Sequence, residues 1–143
     1  MHENEDWIVW NPQNINAEIV SGAYDVEIAN EEDNLRFTVY CENSIADVCF
    51  HCVVPMYLYS DEGMRMAAYM PVQEKNNDRA YLGKWFLYKI ENSDFMKWAV
   101  KESCGFYSEE DLLHFCIVTE NDIVDILSLG EPTVVVRETN SNK

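Results

Sequence analysis

The chain has 143 residues, of which 48% are hydrophobic, and this length and apolar content predict a single domain, residues 1–143, around one core. Its 26 acidic and 10 basic side chains give a formal net charge of -16 at pH 7, which disfavours binding to nucleic acid or to anionic lipid. No uncharged apolar stretch approaches the roughly 18 residues of a membrane span, and acids stand at the start where a secretory signal has basic residues. We therefore expect a cytoplasmic protein.

The first two thirds of the chain are dominated by strand patterns. We predict extended chain over residues 17–29, 35–41, 45–60 and 80–90. In 35–41 apolar residues alternate with polar ones, which is typical of a half-buried strand. Pro55 interrupts the third segment and favours a bulge or a sheet edge there. Residues 61–63 predict a hairpin turn that leads into another strand at 64–72.

One main helix is predicted at about 93–103. Ser93 can cap its N-terminus, and Gly105 can supply the left-handed residue that ends it. Phe95, Trp98 and Ala99 follow helical spacing and give the helix an apolar stripe. We expect this stripe to pack on the sheet.

The C-terminal part of the chain predicts a short helical turn and further strands. Residues near 108–112 have the spacing of a capping box, and 112–119 return to an extended pattern. Residues 120–129 suit a strand or a helix, and their β-branched content favours a strand. A last strand at 133–137 precedes a tail, 138–143, that we expect to be frayed. The elements together predict an α+β fold, with a mainly antiparallel sheet of about seven to nine strands and the main helix packed on it.

The pentapeptide VCFHC at 48–52 has the spacing of a redox motif. A reactive Cys-x-x-Cys pair has its first sulfur at a helix N-terminus, whereas the apolar neighbours of Cys49 and Cys52 predict a strand. Residues three apart on a strand point to opposite faces, so we do not expect these sulfurs to pair. The chain has five cysteines, an odd number, and we interpret them as packed free thiols.

A zinc site is a second interpretation of the same stretch. Cys49 and His51 share one strand face, and His114 and Cys116 share another, so two adjacent strands could present a Cys2His2 set. Such sites sit on tight turns that contain glycine, and neither stretch has one. We therefore expect no metal and no cofactor.

Catalysis has no local signature in this sequence. The chain lacks a Gly-rich phosphate loop, a His-Glu-x-x-His motif and a nucleophile elbow. A serine or cysteine could still meet His51 or His114 in space, which sequence cannot show. We predict a non-catalytic protein and keep a small enzyme or ligand-binding protein as an alternative.

The candidate recognition residues combine acids with aromatic rings. Nine acidic residues and no basic one precede Arg36, and a field of this sign attracts a cationic protein. Tryptophans are among the side chains that anchor protein interfaces. The predicted partner-binding residues are Asp6, Trp7, Trp10, Glu31, Glu32, Asp33, Glu109, Glu110 and Asp111. The alternative is that the charge only keeps the protein in solution.

Architecture and charge across the chain, together with the segment 93–136, resemble the small acidic immunity proteins of bacterial toxin-immunity systems, including contact-dependent growth inhibition. Residues 114–126 follow a C-terminal pattern of the kind His-Phe-x-Ile-x-Thr-x-Asn-Asp-x-(Ile/Val)-(Asp/Glu)-(Val/Ile). The resemblance implies a stoichiometric inhibitor that occludes or distorts a cognate toxin, often a basic nuclease, inside the producing cell. These families bind their toxins through different surfaces, so the resemblance assigns no binding residue.

A nucleic-acid mimic that inhibits a host or phage defence protein is a further alternative. Such a mimic presents rows of exposed carboxylates at phosphate-like spacing. In this sequence the acids cluster at predicted turns instead, which favours the immunity protein.

Overall fold

The computed structural model describes residues 2–32, 34–78 and 81–139, and within them nine strands form two antiparallel sheets. The strands are β1 (Asp6–Val9), β2 (Asp25–Glu31), β3 (Asn34–Tyr40), β4 (Ser44–Phe50), β5 (Met56–Asp61), β6 (Leu87–Glu91), β7 (Leu113–Val118), β8 (Asp122–Ser128) and β9 (Thr133–Glu138). The α-helices are α1 (Met66–Lys75) and α2 (Asp94–Glu102), and 3-10 turns lie at Glu62–Arg65 and Tyr81–Gly83. The predicted α+β fold with mainly antiparallel pairing is confirmed.

The two sheets pack face to face. The first sheet has the order β1-β6-β7-β8-β5 and the second has the order β2-β3-β4-β9. Alternation along β3 and β4 points Phe37 and Phe50 inward, where their rings meet edge to face at 5.8 Å. Phe50 also contacts Phe115 of β7, with 5.9 Å between ring centroids. One hydrophobic cluster therefore takes members from both sheets.

The opposite face of the first sheet carries the helices. Directly paired residues of antiparallel strands share a face, and the register pairs Cys116 of β7 with Asp125 of β8. Because Phe115 points to the second sheet, its neighbour Cys116 points away from it, and so does Asp125. Arg65, immediately before α1, reaches Asp125 on this outer face.

The predicted main helix is confirmed as α2. Ser93 caps it, since its side-chain oxygen accepts a hydrogen bond from the Met96 N–H at 2.9 Å. Gly105 follows the helix with φ of 84°, the left-handed conformation expected of it.

The face of α2 that meets the sheet differs from the predicted stripe. Met96 and Ala99 are buried against Leu112 and Leu127, whereas Trp98 is 51% exposed. The helix is rotated so that the indole of Trp98 stacks over Phe95 at the rim, with ring centroids 6.0 Å apart. Helical spacing predicted an apolar stripe that is wider than the face of α2 that packs on the sheet, because spacing does not show where the sheet ends.

The strand predicted at 64–72 is wrong, because this segment lies in the 3-10 turn and α1. The helix contains Pro71, which lacks the N–H that an interior helical position donates. Three residues of one side of α1 are buried: Ala68, Tyr69 and Val72. Packing of this side on the core outweighs the local propensity, and only the tertiary structure supplies that packing.

Two of the predicted extended segments begin later than expected: 17–29 starts with turns and becomes a strand only at Asp25, and 80–90 becomes a strand only at Leu87, after a 3-10 turn. Residues 109–111 form a short turn, and 122–128 form a strand, as their β-branched content indicates. The predicted frayed tail starts too early, because Glu138 still belongs to β9 and the Thr139 N–H bonds to the Asn43 carbonyl at 3.0 Å. Residues 140–143 lie outside the described residues. Over the described ranges, neither helix combines the length and hydropathy needed to cross a bilayer.

Candidate functional site

Five carboxylates from separate segments meet at one end of the first sheet, and we call this group the acidic end. Its members are Asp25, Asp61, Glu62, Glu120 and Asp122. The β5–β8 register places Asp61 directly opposite Asp122. Hydrogen bonds place the other three: the Glu62 N–H donates to the Asn121 carbonyl at 3.2 Å, and the Glu120 N–H donates to the Ala23 carbonyl at 2.9 Å. Asn121 Nδ2 donates to the carbonyl of Tyr24, the residue before Asp25, at 3.0 Å.

The acidic end concentrates negative potential. The pKa of Tyr59 is raised to about 12, first by its hydrogen bond to Asp122, then by burial and by the charges of Asp122, Asp25 and Asp61. Among the residues that the structure describes, none of the five carboxylates has a lysine, arginine or histidine within ion-pair distance. Like charges directly opposite each other on a sheet are destabilising, so the pair Asp61 and Asp122 lowers the stability of the fold.

A groove of about 540 Å³ opens at the acidic end. Its described lining consists of Val20, Gly22, Ala23, Glu62, Met66, Tyr69, Gln73, Leu82, Gly83, Trp85, Val118, Thr119 and Glu120. Two carboxylates and no basic residue belong to this set, and most of the wall is apolar. The groove can therefore accept a ligand with an apolar stem and a positive charge.

Exposed apolar side chains border the acidic end. Tyr57, Leu58 and Tyr59 of β5 are each more than 40% exposed, and β5 is an edge strand with one unpaired side. Tyr24 and Met66 are exposed to a similar degree. Aromatic and methionine side chains beside a free strand edge are features of protein-binding surfaces.

Several acids predicted to bind a partner are neutralised within the protein. The Asp6 carboxylate lies 2.7 Å from Lys75 Nζ, and the Glu31 carboxylate lies 2.7 Å from Arg36 Nη1. Glu32 is exposed, and Asp33 lies outside the described residues. The sequence therefore shows that acids are frequent before Arg36, but it could not show which of them form ion pairs.

Glu109, Glu110 and Asp111 are all exposed in the turn that follows α2. Phe106 precedes them and is 80% exposed, the largest value among the large apolar side chains. This second surface keeps the predicted combination of acids and an aromatic ring, although the structure does not bring it together with the predicted residues of the N-terminal segment.

Trp7 is not an exposed anchor, which corrects the prediction. It is 4% exposed, and its ring packs against Tyr69 and Tyr88 in the core. Trp10 is half-buried and packs edge to face on Phe115 at 5.2 Å. Trp7 belongs to β1 and Trp10 follows it, and both rings pack in or against the core. The acidic residues beside them in the sequence suggested exposed positions, which the fold does not give them.

A buried polar chain resembles a catalytic triad in composition. Ser93 Oγ lies 2.6 Å from His114 Nδ1, and His114 Nε2 lies 2.7 Å from Asp125 Oδ1. A carboxylate only accepts, so Nε2–H donates to Asp125, and Nδ1 shares a hydrogen bond with the serine hydroxyl. Arg65 Nε donates to Asp125 Oδ2 at 2.9 Å.

The burial and pairing of these polar groups indicate that they stabilise the fold. Burial alone would raise the pKa of Asp125, but the hydrogen bond and charge of His114 and the charge of Arg65 outweigh it, so this pKa is lowered. His114 and Asp125 are fully buried, and Ser93 is 4% exposed. The Ser93 oxygen already caps α2, and in serine proteases the hydroxyl meets Nε2 rather than Nδ1. The sequence identified His114 only as a histidine that a serine could meet, and it could not assemble this chain because the four members come from separate segments.

The Cys2His2 set considered from the sequence is not assembled. Cys49 lies on the outer face of the second sheet, while Cys116 and His114 point outward from the first sheet. The five cysteines are free, and Cys52 packs against the core. The strand predicted through Cys52 is wrong, because β4 ends at Phe50 and Cys52 lies in a bend after it.

A different group contains metal-ligand atoms. His2 Nδ1 and carboxylate oxygens of Glu5 and Asp94 lie within 4.8 Å of one another, the only such group among the described residues. Glu5 is buried and accepts a hydrogen bond from the Asp94 N–H at 2.8 Å, which ties the start of the chain to α2. One nitrogen and two oxygens could hold a divalent cation, and a protonated His2 would balance the same carboxylates.

No family model, curated protein or solved structure matches this chain.

Proposed function

We propose that this chain is a non-catalytic protein-binding module, an immunity protein that binds and neutralises a cationic toxin domain. The observation that carries the proposal is the acidic end, where Asp25, Asp61, Glu62, Glu120 and Asp122 converge without an ion-pair partner among the described residues. Carboxylates that only keep a protein in solution do not need to converge, because dispersed charges serve that purpose with less mutual repulsion.

The surroundings of the acidic end support protein binding. The free edge of β5 offers backbone hydrogen-bonding groups, and Tyr57, Leu58 and Tyr59 offer exposed apolar surface. A cationic protein would be steered by the field and held by these contacts. The partner-binding surface proposed here replaces the N-terminal one that Trp7 and Trp10 suggested.

The test is to identify a toxin domain encoded by a neighbouring gene and to co-express it with this chain. The proposal predicts protection of the cell and a stoichiometric complex in solution. A variant with Asp61→Asn, Glu62→Gln, Glu120→Gln and Asp122→Asn should associate at least about tenfold more slowly at low salt, and protection should weaken. Raising the salt concentration should slow the association of the unmodified chain in the same way.

The matched control removes four negative charges elsewhere, through Glu32→Gln, Glu109→Gln, Glu110→Gln and Asp111→Asn. This variant should keep most of the association rate and all of the protection. Equal losses in both variants would show that only net charge matters, and a larger loss in the control would move the interface to the turn after α2. A chain that neither binds the toxin domain nor protects the cell would overturn the proposal.

The nucleic-acid mimic predicts a different outcome. Its partner would be a DNA-binding or RNA-binding protein, and nucleic acid would release that partner from the chain. Competition by double-stranded DNA in the same binding assay therefore separates the two functions.

A further inference from the structure

The groove at the acidic end has the layout of a socket for one long side chain. Its floor is formed by buried apolar residues, Val20, Leu82 and Trp85, and its rim carries the carboxylates of Glu62 and Glu120. The walls come from α1, from the turn Tyr81–Gly83 and from residues 20–23. An aliphatic stem would bury apolar surface on the floor while its end stays near the rim.

The backbones that carry the two rim carboxylates are anchored before any ligand binds. The Glu62 N–H donates to the Asn121 carbonyl of the β7–β8 turn, and the Glu120 N–H donates to the Ala23 carbonyl. Neither carboxylate has a cation within ion-pair distance among the described residues. Two negative charges without an ion pair at one opening favour a cationic group.

Tyr69 lines the groove and adds an unmet hydrogen-bonding group beneath its wall. It is 6% exposed, and its hydroxyl is buried without a hydrogen-bond partner in the described part of the chain. A buried hydroxyl without a partner costs stability, and such groups are rare in native proteins. Burial, and then the nearby charges of Cys116 and Glu62, raise the pKa of Tyr69, so the hydroxyl stays neutral and can accept an N–H.

We propose, on the basis of the proposed function, that this groove receives an arginine side chain of the cationic partner. The guanidinium would donate to Glu62, Glu120 and the Tyr69 oxygen, and its stem would lie on Leu82 and Trp85. Arginine matches better than lysine because three separated acceptors suit a planar fork of five N–H donors, whereas the lysine ammonium is a compact point charge.

The experiment titrates the full chain, labelled with nitrogen-15, with N-acetyl-arginine amide and follows the amide resonances. Shifts should be confined to the groove, at Gly22, Glu62, Thr119 and Glu120, and the lysine analogue should bind more weakly. The citrulline analogue has nearly the same shape without the charge, and it should not bind detectably. Equal binding of citrulline, or shifts elsewhere only, would overturn the inference.

Two variants test the named contacts. Glu62→Gln with Glu120→Gln should weaken binding of the arginine amide by about tenfold, and Tyr69→Phe should weaken it by about threefold while the protein stays folded. Glu31→Gln with Glu32→Gln is the matched control and should leave this binding unchanged. Unchanged affinity in both groove variants would overturn the assignment.

The same variants separate the socket from the proposed function. The toxin domain could bind normally to Tyr69→Phe and to Glu62→Gln with Glu120→Gln, but poorly to Asp61→Asn with Asp122→Asn. This result would overturn the proposal that the groove receives an arginine, and it would support the proposed function. Arginine amide that binds in the groove, with no cationic protein partner, would support the socket and overturn the proposed function.

Discussion

Asp125 and Asp122 lie three residues apart on β8, and the protein treats these two carboxylates in opposite ways. Asp125 is fully buried and receives hydrogen bonds from His114 and Arg65. Asp122 lies at the acidic end, opposite Asp61, with the Tyr59 hydroxyl as its neighbour. The difference teaches that charge is compensated in the interior, where it holds the fold together, and left without an ion pair at the acidic end.

The largest expected effect comes from removing the buried carboxylate. Asp125→Ala should lower the free energy of unfolding by about 3–5 kcal/mol, because it leaves Arg65 and His114 without their partner in the interior. Urea unfolding measures this loss. Asp122→Ala is the control on the same strand and should cost far less. Similar costs for both substitutions would mean that the polar chain does not stabilise the protein.

The second prediction concerns acid. The pKa of Asp125 is lowered in the folded state, while the pKa of an aspartate in the unfolded chain is about 3.9. The stabilisation by Asp125 is therefore present above about pH 4 and is lost as the pH falls toward the folded pKa. The difference in unfolding free energy between the unmodified chain and Asp125→Asn should shrink between pH 5 and about pH 3. A difference that stays constant over this range would contradict the lowered pKa.

The third prediction uses Tyr59 as a probe of the field at the acidic end. Its pKa is raised to about 12, chiefly by the hydrogen bond to Asp122. Asp122→Asn should bring the ionisation of Tyr59 back toward about 10, the ordinary value for tyrosine. Carbon-13 NMR of the tyrosine rings follows this titration. Asp125→Asn should leave it almost unchanged, and an equal shift in both variants would show that the two regions are not electrostatically distinct.

The smallest expected effect is a gain in stability. Asp61→Asn removes one of two like charges that oppose each other across β5 and β8, and it should stabilise the protein by about 0.5 kcal/mol at low salt. In about 1 M salt the gain should disappear, because screening already weakens the repulsion. Glu31→Gln is the control and should bring no gain, since Glu31 is paired with Arg36. Loss of stability in Asp61→Asn would show that the hydrogen bond from the Gly63 N–H to this carboxylate, at 2.8 Å, outweighs the repulsion from Asp122.

Local patterns identified the elements whose signals lie within a few residues. The cap at Ser93, the left-handed Gly105 and the β-branched content of 122–128 each depend on neighbours in the chain, and each prediction agrees with the structure. Helix α1 was missed for the converse reason. Its Pro71 and weak periodicity oppose a helix locally, and burial of one side against distant strands decides the outcome.

The candidate site shows the same limit. Counting acids located an excess of charge before Arg36, but Glu31 pairs with that arginine and Asp6 pairs with Lys75. The acidic end was not predicted, because its five members come from three separate parts of the sequence and meet only through strand register and turn hydrogen bonds.

The sequence by itself determined the sign and size of the charge, the α+β class and the main helix, because composition and short-range periodicity are properties of the chain alone. The tertiary structure decided which carboxylates are compensated and which are not. That outcome depends on distances of a few ångströms between residues such as Asp61 and Asp122, which are 61 positions apart in the chain. Coulomb energies follow spatial separation, and sequence separation says little about it.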